Sequence, residues 1–142
     1  MKMSWETLLV GNVVFKEDKS YDEVKHVVKL LCEYSECNVP KELKPFDKYI
    51  KNYNNKKNGA HLTINDNNVI ELHIVDVNWS SHMSEEKMNA LKCITAKYKD
   101  LITMSAFSLF YLSEPDDQFY YAAGEQDEED VIEDFKNCEL SD

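Results

Sequence analysis

Four sets of residues have the types that chemistry requires. Cys32 and Cys37, with His26 upstream, could form part of a zinc site. Glu71 and His73, two positions apart, could act as an acid–base pair. His82 lies among Ser80, Ser81 and Ser84, the residue types of a nucleophile and its base. Finally, Glu114, Asp116, Asp117, Glu125, Asp127, Glu128, Glu129, Asp130, Glu133 and Asp134 crowd one stretch and could recognise a basic surface.

Three of these sets have an ordinary explanation. Structural zinc takes four ligands, commonly with two residues between paired cysteines. Here four residues intervene, and Cys32 falls near an apolar helical stripe, so it reads as a core thiol. Nucleophilic cysteines need a setting that lowers their pKa, and none of Cys32, Cys37, Cys93 and Cys138 has one in the sequence. The serines around His82 read as loop and helix cap. Glu71 and His73 would stand about 7 Å apart on one strand face, which is the ordinary spacing on the polar side of a half-buried sheet. Gly11, Gly59 and Gly124 are isolated, so no phosphate-binding loop is present. The expectation is a non-enzymatic chain without metal or cofactor.

The elements that must position these residues follow from periodicity. Leu9, Val13 and Phe15 alternate with Leu8, Val10, Asn12 and Val14, giving a strand apolar on both faces, as in the centre of a sheet. Ser20-Tyr21-Asp22-Glu23 is a capping box. Val24, Val27, Val28 and Leu31 then mark one helical stripe ending near residues 33–37. Residues 38–60, with Pro40, Pro45 and a short helical pattern at Phe46, Tyr49, Ile50 and Tyr53, read as a lysine-rich insertion. Strands are expected at His61–Ile64 and Val69–Trp79, with a bulge at Ile74–Val75, where the apolar alternation passes from Ile70, Leu72 and Ile74 to Val75, Val77 and Trp79. A second helix is expected from Ser84, with Met88, Leu91, Ile94, Tyr98 and Leu101 inward. Strands Met104–Leu112 and Gln118–Ala123 close the pattern around an acidic turn.

The order β-α-(insertion)-β-β-α-β-β predicts an α+β fold of ferredoxin-like type, an antiparallel sheet with two helices on one face. The expected division is one domain over 1–124, including the insertion at 38–60, and an acidic segment over 125–142. In that segment Asp127 could cap a short helix that packs through Val131, Ile132 and Phe135; the alternative is a solvated tail.

Charge is partitioned along the chain. Residues 1–113 hold 15 acids and 15 lysines; residues 114–142 hold 12 acids and one lysine, so the whole net charge of −11 lies there. The chain has no arginine, hence no bidentate fork for phosphate or guanine, and direct nucleic-acid binding is disfavoured. Twelve asparagines beside 16 lysines fit the codon bias of an AT-rich genome as well. Met1–Glu6 lacks the apolar run of a signal peptide, and the longest apolar runs are too short to span a membrane. The expectation is a cytoplasmic protein with reduced thiols.

Met3-Ser4-Trp5-Glu6 before a strand, Asn78-Trp79-Ser80-Ser81-His82 before a helix, Phe110-Tyr111-Leu112-Ser113-Glu114, Gln118-Phe119-Tyr120-Tyr121 and Gly124-Glu125 together form a pattern. Over about residues 3–33 and 61–125 it resembles small acidic ferredoxin-like proteins of Gram-positive bacteria, their phages and mobile elements; residues 38–60 depart from it. The resemblance implies a phage-borne inhibitor of host defence, similar to anti-CRISPR proteins, acting in the host cytosol. Its partner would be a protein with a basic groove, met by the acidic residues above with Tyr120 and Trp79. Two alternatives are an immunity-type or regulatory protein that docks through the open sheet face with Glu71 and His73, and a small ligand-binding or enzymatic dimer.

Overall fold

The computed structural model describes residues 7–48, 59–78, 81–111 and 118–123. The elements are β1 (Thr7–Phe15), α1 (Tyr21–Tyr34), β2 (Leu43–Pro45), β3 (Gly59–Ile64), β4 (Ile70–Asn78), α2 (Ser81–Lys97), β5 (Ile102–Tyr111) and β6 (Gln118–Ala123). They build an α+β fold on one six-stranded sheet, ordered β2-β3-β4-β1-β5-β6. The sheet is mixed: β2 runs parallel to β3, and every other neighbouring pair is antiparallel. The parallel edge lies inside the segment read as an insertion.

β1 is central because both of its faces are apolar. Leu9, Val13 and Phe15 are fully buried on the helix side, while Leu8, Val10, Asn12 and Val14 are half-buried on the other. Facing β1 from the neighbouring strands, Leu72, Ile74, Phe107 and Leu109 complete the inner layer. The helices cover this inner face. Val24, Val27, Val28, Leu31 and Cys32 come from α1, and Met88, Leu91 and Ile94 from α2. Tyr98 and Leu101 pack at the margin of the core. A short 3₁₀ turn, Lys99–Leu101, intervenes before β5.

Ser20 caps α1 as the sequence predicts. Its hydroxyl accepts from the Glu23 backbone N–H, and the Glu23 carboxylate accepts from the Ser20 N–H at 3.2 Å. Ser20→Ala removes one partner of an otherwise orphaned helix N–H. It should lower stability by about 1 kcal/mol, measured as a lower urea midpoint at unchanged slope.

The expected bulge at Ile74–Val75 is absent. The pairing of β4 with β1 is continuous from Thr7↔Asn78 to Val14↔Glu71, and so is its pairing with β3. The apolar residues Val75 and Val77 do not change the phase of the strand; they lie on its outer face, opposite Val10 and Leu8. The register shift lies instead between Val14 and Phe15, where β1 meets the start of β5. Thr103 and Met104 are both exposed there, so Ile102 joins Ser105, Phe107 and Leu109 in the inner layer.

Candidate functional site

β1, β3 and β4 gather a polar cluster on the face of the sheet opposite the helices. Register places Asn12, His73 and His61 in one row across the three strands, with Glu71 and Thr63 paired in the next. Thr63 Oγ1 and His73 Nε2 lie 3.0 Å apart, the tautomer deciding which of them donates. Thr63 is buried although it points away from the helices. Phe46, which follows β2, packs against His73 with ring centroids 6.1 Å apart. The insertion therefore shields this corner of the outer face.

Burial sets the ionisation of the cluster. It pushes the His73 imidazole down to about 4, with His61 adding a smaller effect of the same sign. It pushes the Glu71 carboxyl up, against a hydrogen bond from the Asn12 side chain that favours the charged form. Asn12 Oδ1 is buried and accepts no hydrogen bond among the described residues. The arrangement thus offers an imidazole that is neutral at pH 7 and a carboxyl whose charged form burial disfavours. It is suited to holding a polar group or to sensing acid.

The pH dependence has a definite sign. The folded-state pKa of His73 is depressed, so its contribution is present above its ordinary value of 6.5 and is lost as pH falls toward about 4. Glu71, raised, acts oppositely: its contribution is present below 4.5 and is lost as pH rises through the folded value. Partial exposure of the ring limits the His73 effect to about 1 kcal/mol. The stability advantage of the parent over His73→Gln should therefore shrink by that amount between pH 7 and pH 4.5. A constant difference in urea titrations across that range would contradict this.

A second cluster sits on the inner face, at the C-terminal end of α1. Asp76 lies in the inward phase of β4, opposite Leu9. Lys87 of α2 donates to Asp76 Oδ2 at 3.0 Å and meets Glu36 Oε2 at 3.4 Å. The Lys87 side chain is 7% exposed and that of Asp76 14%, whereas Glu36 is largely in solvent. Burial raises the Cys37 thiol beside this cluster; Asp76 and Glu36 push the same way, and Lys87 opposes them.

The structure separates the residues that the sequence grouped. Glu71 and His73 do share the outer face, whereas Asp76 faces the helices. Cys32 is a fully buried core thiol. His26 is engaged edge-on with Tyr98, ring centroids 5.8 Å apart. Among the described residues, Cys32 and Cys37 are free thiols, and no group of three or more His, Cys, Asp or Glu is arranged to hold a metal ion. Of the short helix expected at Phe46, Tyr49, Ile50 and Tyr53, residues 46–48 are described and are helical. The side chains of Ser80, Ser81, His82 and Ser84, the residue Trp79, and Tyr49, Ile50 and Tyr53 lie outside the described residues. So do Glu114, Asp116, Asp117, Glu125, Asp127, Glu128, Glu129, Asp130, Glu133 and Asp134. Tyr120 is placed by its backbone alone, on β6 opposite Ser108.

Asn12, His61, Thr63, Phe46, Lys87 and Glu36 were missed by sequence reasoning as site residues. Two signals pointed to Lys87 and its partner. Asp76 continues the series Ile70, Leu72, Ile74 at steps of two, and Lys87 precedes Leu91 and Ile94 on the α2 stripe. An acid and a cation in two inward phases invite pairing. No described helix is long and apolar enough to cross a membrane. Comparison with protein-family models, curated proteins and solved structures gives no match for this chain.

Proposed function

We propose that this chain is a non-enzymatic binding protein, an inhibitor carried by a phage or mobile element. It occupies a basic nucleic-acid-handling site on a host defence complex, as anti-CRISPR proteins do. The charge partition carries this reading: a balanced body and a net −11 confined to residues 114–142. Topology adds to it. Among the described residues β6 pairs only with β5 and forms a sheet edge. In sequence it is bracketed by Glu114, Asp116 and Asp117 before it and by the run from Glu125 to Asp134 after it. Such concentrated charge speeds encounter with a basic partner and rejects acidic ones. We further read the core as ferredoxin-like, which the order β3-β4-β1-β5 supports, with β2 and β6 as added edges.

The test is capture of partners from the native host by the full chain and by a chain lacking residues 125–142. The reading expects a basic protein partner that the truncated chain fails to retain and that salt displaces. Equal capture by both chains would overturn the acidic mechanism.

A second reading rests on the outer sheet face. Leu8, Val10, Val77 and Phe110 are half-buried apolar residues there, adjacent in register and on the face opposite the helices. A regulatory partner docking on that face would be lost on Val10→Lys and retained after the truncation, the reverse of the first pattern.

A further inference from the structure

Helix α1 ends in a motif that brings two cysteines together. The Cys37 N–H donates to the Cys32 carbonyl at 2.8 Å, and the Glu36 N–H to the Glu33 carbonyl at 3.1 Å. Glu36 takes a left-handed conformation, φ 58°. This is a Schellman ending, in which the side chains three residues inside the helix and two beyond its cap meet over the last turn. Those positions are usually apolar partners. Here they are Cys32 and Cys37, and both pack in the same core region.

We propose that Cys32 and Cys37 are a dithiol site that a small-molecule disulfide oxidises to an intramolecular bond. The 6→1 hydrogen bond holds the two backbones at the close approach that a disulfide needs. Access differs between the sulfurs. Cys32 is fully buried, while Cys37 is partly exposed, so Cys37 meets the oxidant first. Its S–H faces the Ser35 carbonyl at 3.7 Å.

The chemistry balances as a thiol–disulfide exchange. The Cys37 thiol loses its proton and its sulfur attacks one sulfur of the oxidant, expelling one thiolate and leaving a mixed disulfide. Cys32 then loses its proton and attacks the Cys37 sulfur, expelling the second thiolate. The protein gives up two electrons and two protons; the oxidant leaves as two thiols. Two residues about the α1 end thus gain a covalent tie, and the Cys37 S–H donor is lost beside Lys87, Asp76 and Glu36.

The site is guarded rather than reactive. Burial pushes the Cys32 thiol up to about 12, with Cys37 adding to it, and raises Cys37 as well. A hydrogen bond with Ser35 lowers Cys37 against that burial; of the charged neighbours, Asp76 of β4 and Glu36 of the α1 end raise it and Lys87 of α2 lowers it. The thiolate is the attacking species, so oxidation should be slow at neutral pH and accelerate about tenfold per pH unit through the mildly alkaline range.

The experiment incubates the folded full-length chain with glutathione disulfide at pH 7 to 9, quenches with acid and alkylates free thiols. Peptides are then mapped by mass spectrometry without reduction. The expected product is lighter by two hydrogens, carries a Cys32–Cys37 link and reverts with dithiothreitol. Cys37→Ser and Cys37→Ala should both abolish it while Cys93 and Cys138 remain alkylable in each. The proposal is overturned if Cys32 and Cys37 stay alkylable at pH 9, if glutathione stays on Cys37 without the second exchange, or if the only link formed involves Cys93 or Cys138.

Discussion

Lys87→Met should lower the unfolding free energy by about 3 kcal/mol, the cost of leaving a buried charge without its partner. Lys87 bridges Asp76 and Glu36, and the two contacts differ in weight. Glu36 is largely solvated, so its share is that of a surface ion pair, which is small. Asp76 is 14% exposed and sits in the inward phase of β4, with the Lys87 ammonium 3.0 Å away. Removing the ammonium strands that carboxylate against the helices, where water reaches it poorly. The methionine stem replaces most of the packing of the lysine stem, so the loss reports charge rather than volume. The pair as a whole is a different matter. Asp76→Leu combined with Lys87→Met removes both charges and should recover most of the loss, because a well-packed apolar pair often matches a buried ion pair. Urea unfolding of the two single variants and the double variant measures this as a coupling energy. Additive losses in the double variant would refute the account.

That cluster marks where the sequence was legible and where it was not. The helices were legible because their signals are local. Ser20 and Glu23 cap α1 from three residues apart, and Val24, Val27, Val28 and Leu31 repeat on one face. The strands other than Leu43–Pro45 were legible as existing elements, and their limits moved by at most two residues. Helix α2 starts at Ser81, a turn before the cap expected at Ser84, and β5 starts at Ile102 because a 3₁₀ turn delivers the chain directly into it. The strand Leu43–Pro45 was hidden. Three residues ending in proline have too little pattern to read, and only pairing with β3 makes them a strand. Residues Val75 and Val77 misled because an apolar outer face imitates a change of phase. Sites that depend on two distant elements meeting, such as Asp76 with Lys87 or Thr63 with His73, have no local signature. The dithiol of Cys32 and Cys37 is intermediate. It is local, but its geometry depends on Glu36 adopting a left-handed conformation that glycine usually supplies.

Gly11→Ala should cost about 2 kcal/mol, although the substitution adds a single methyl group and improves strand propensity. Gly11 occupies the middle of β1, in the inward phase between Leu9 and Val13, and its direct partner on β5 is Phe107. The Phe107 ring lies across the glycine. A Cβ placed on Gly11 would stand 2.7 Å from Phe107 Cδ1 and 2.8 Å from Cε1, well inside contact distance, with Ile74 Cβ 3.6 Å away on the other side. Relief requires movement of the ring or of the strand. The ring is fully buried among Leu9, Ile74 and Leu109, so it moves only by disturbing neighbours that are themselves fully buried. The strand is fixed by ladders on both edges, to β4 and to β5. The glycine is therefore retained for space, not for backbone freedom. Phe107→Leu offers the decisive control, since it clears the ring that the new methyl would strike. In that background Gly11→Ala should cost much less than it does alone, and the shortfall, read from urea midpoints at constant slope, is the steric coupling between the two positions. An equal penalty in both backgrounds would place the cost in the β1 backbone and refute the ring-over-glycine packing.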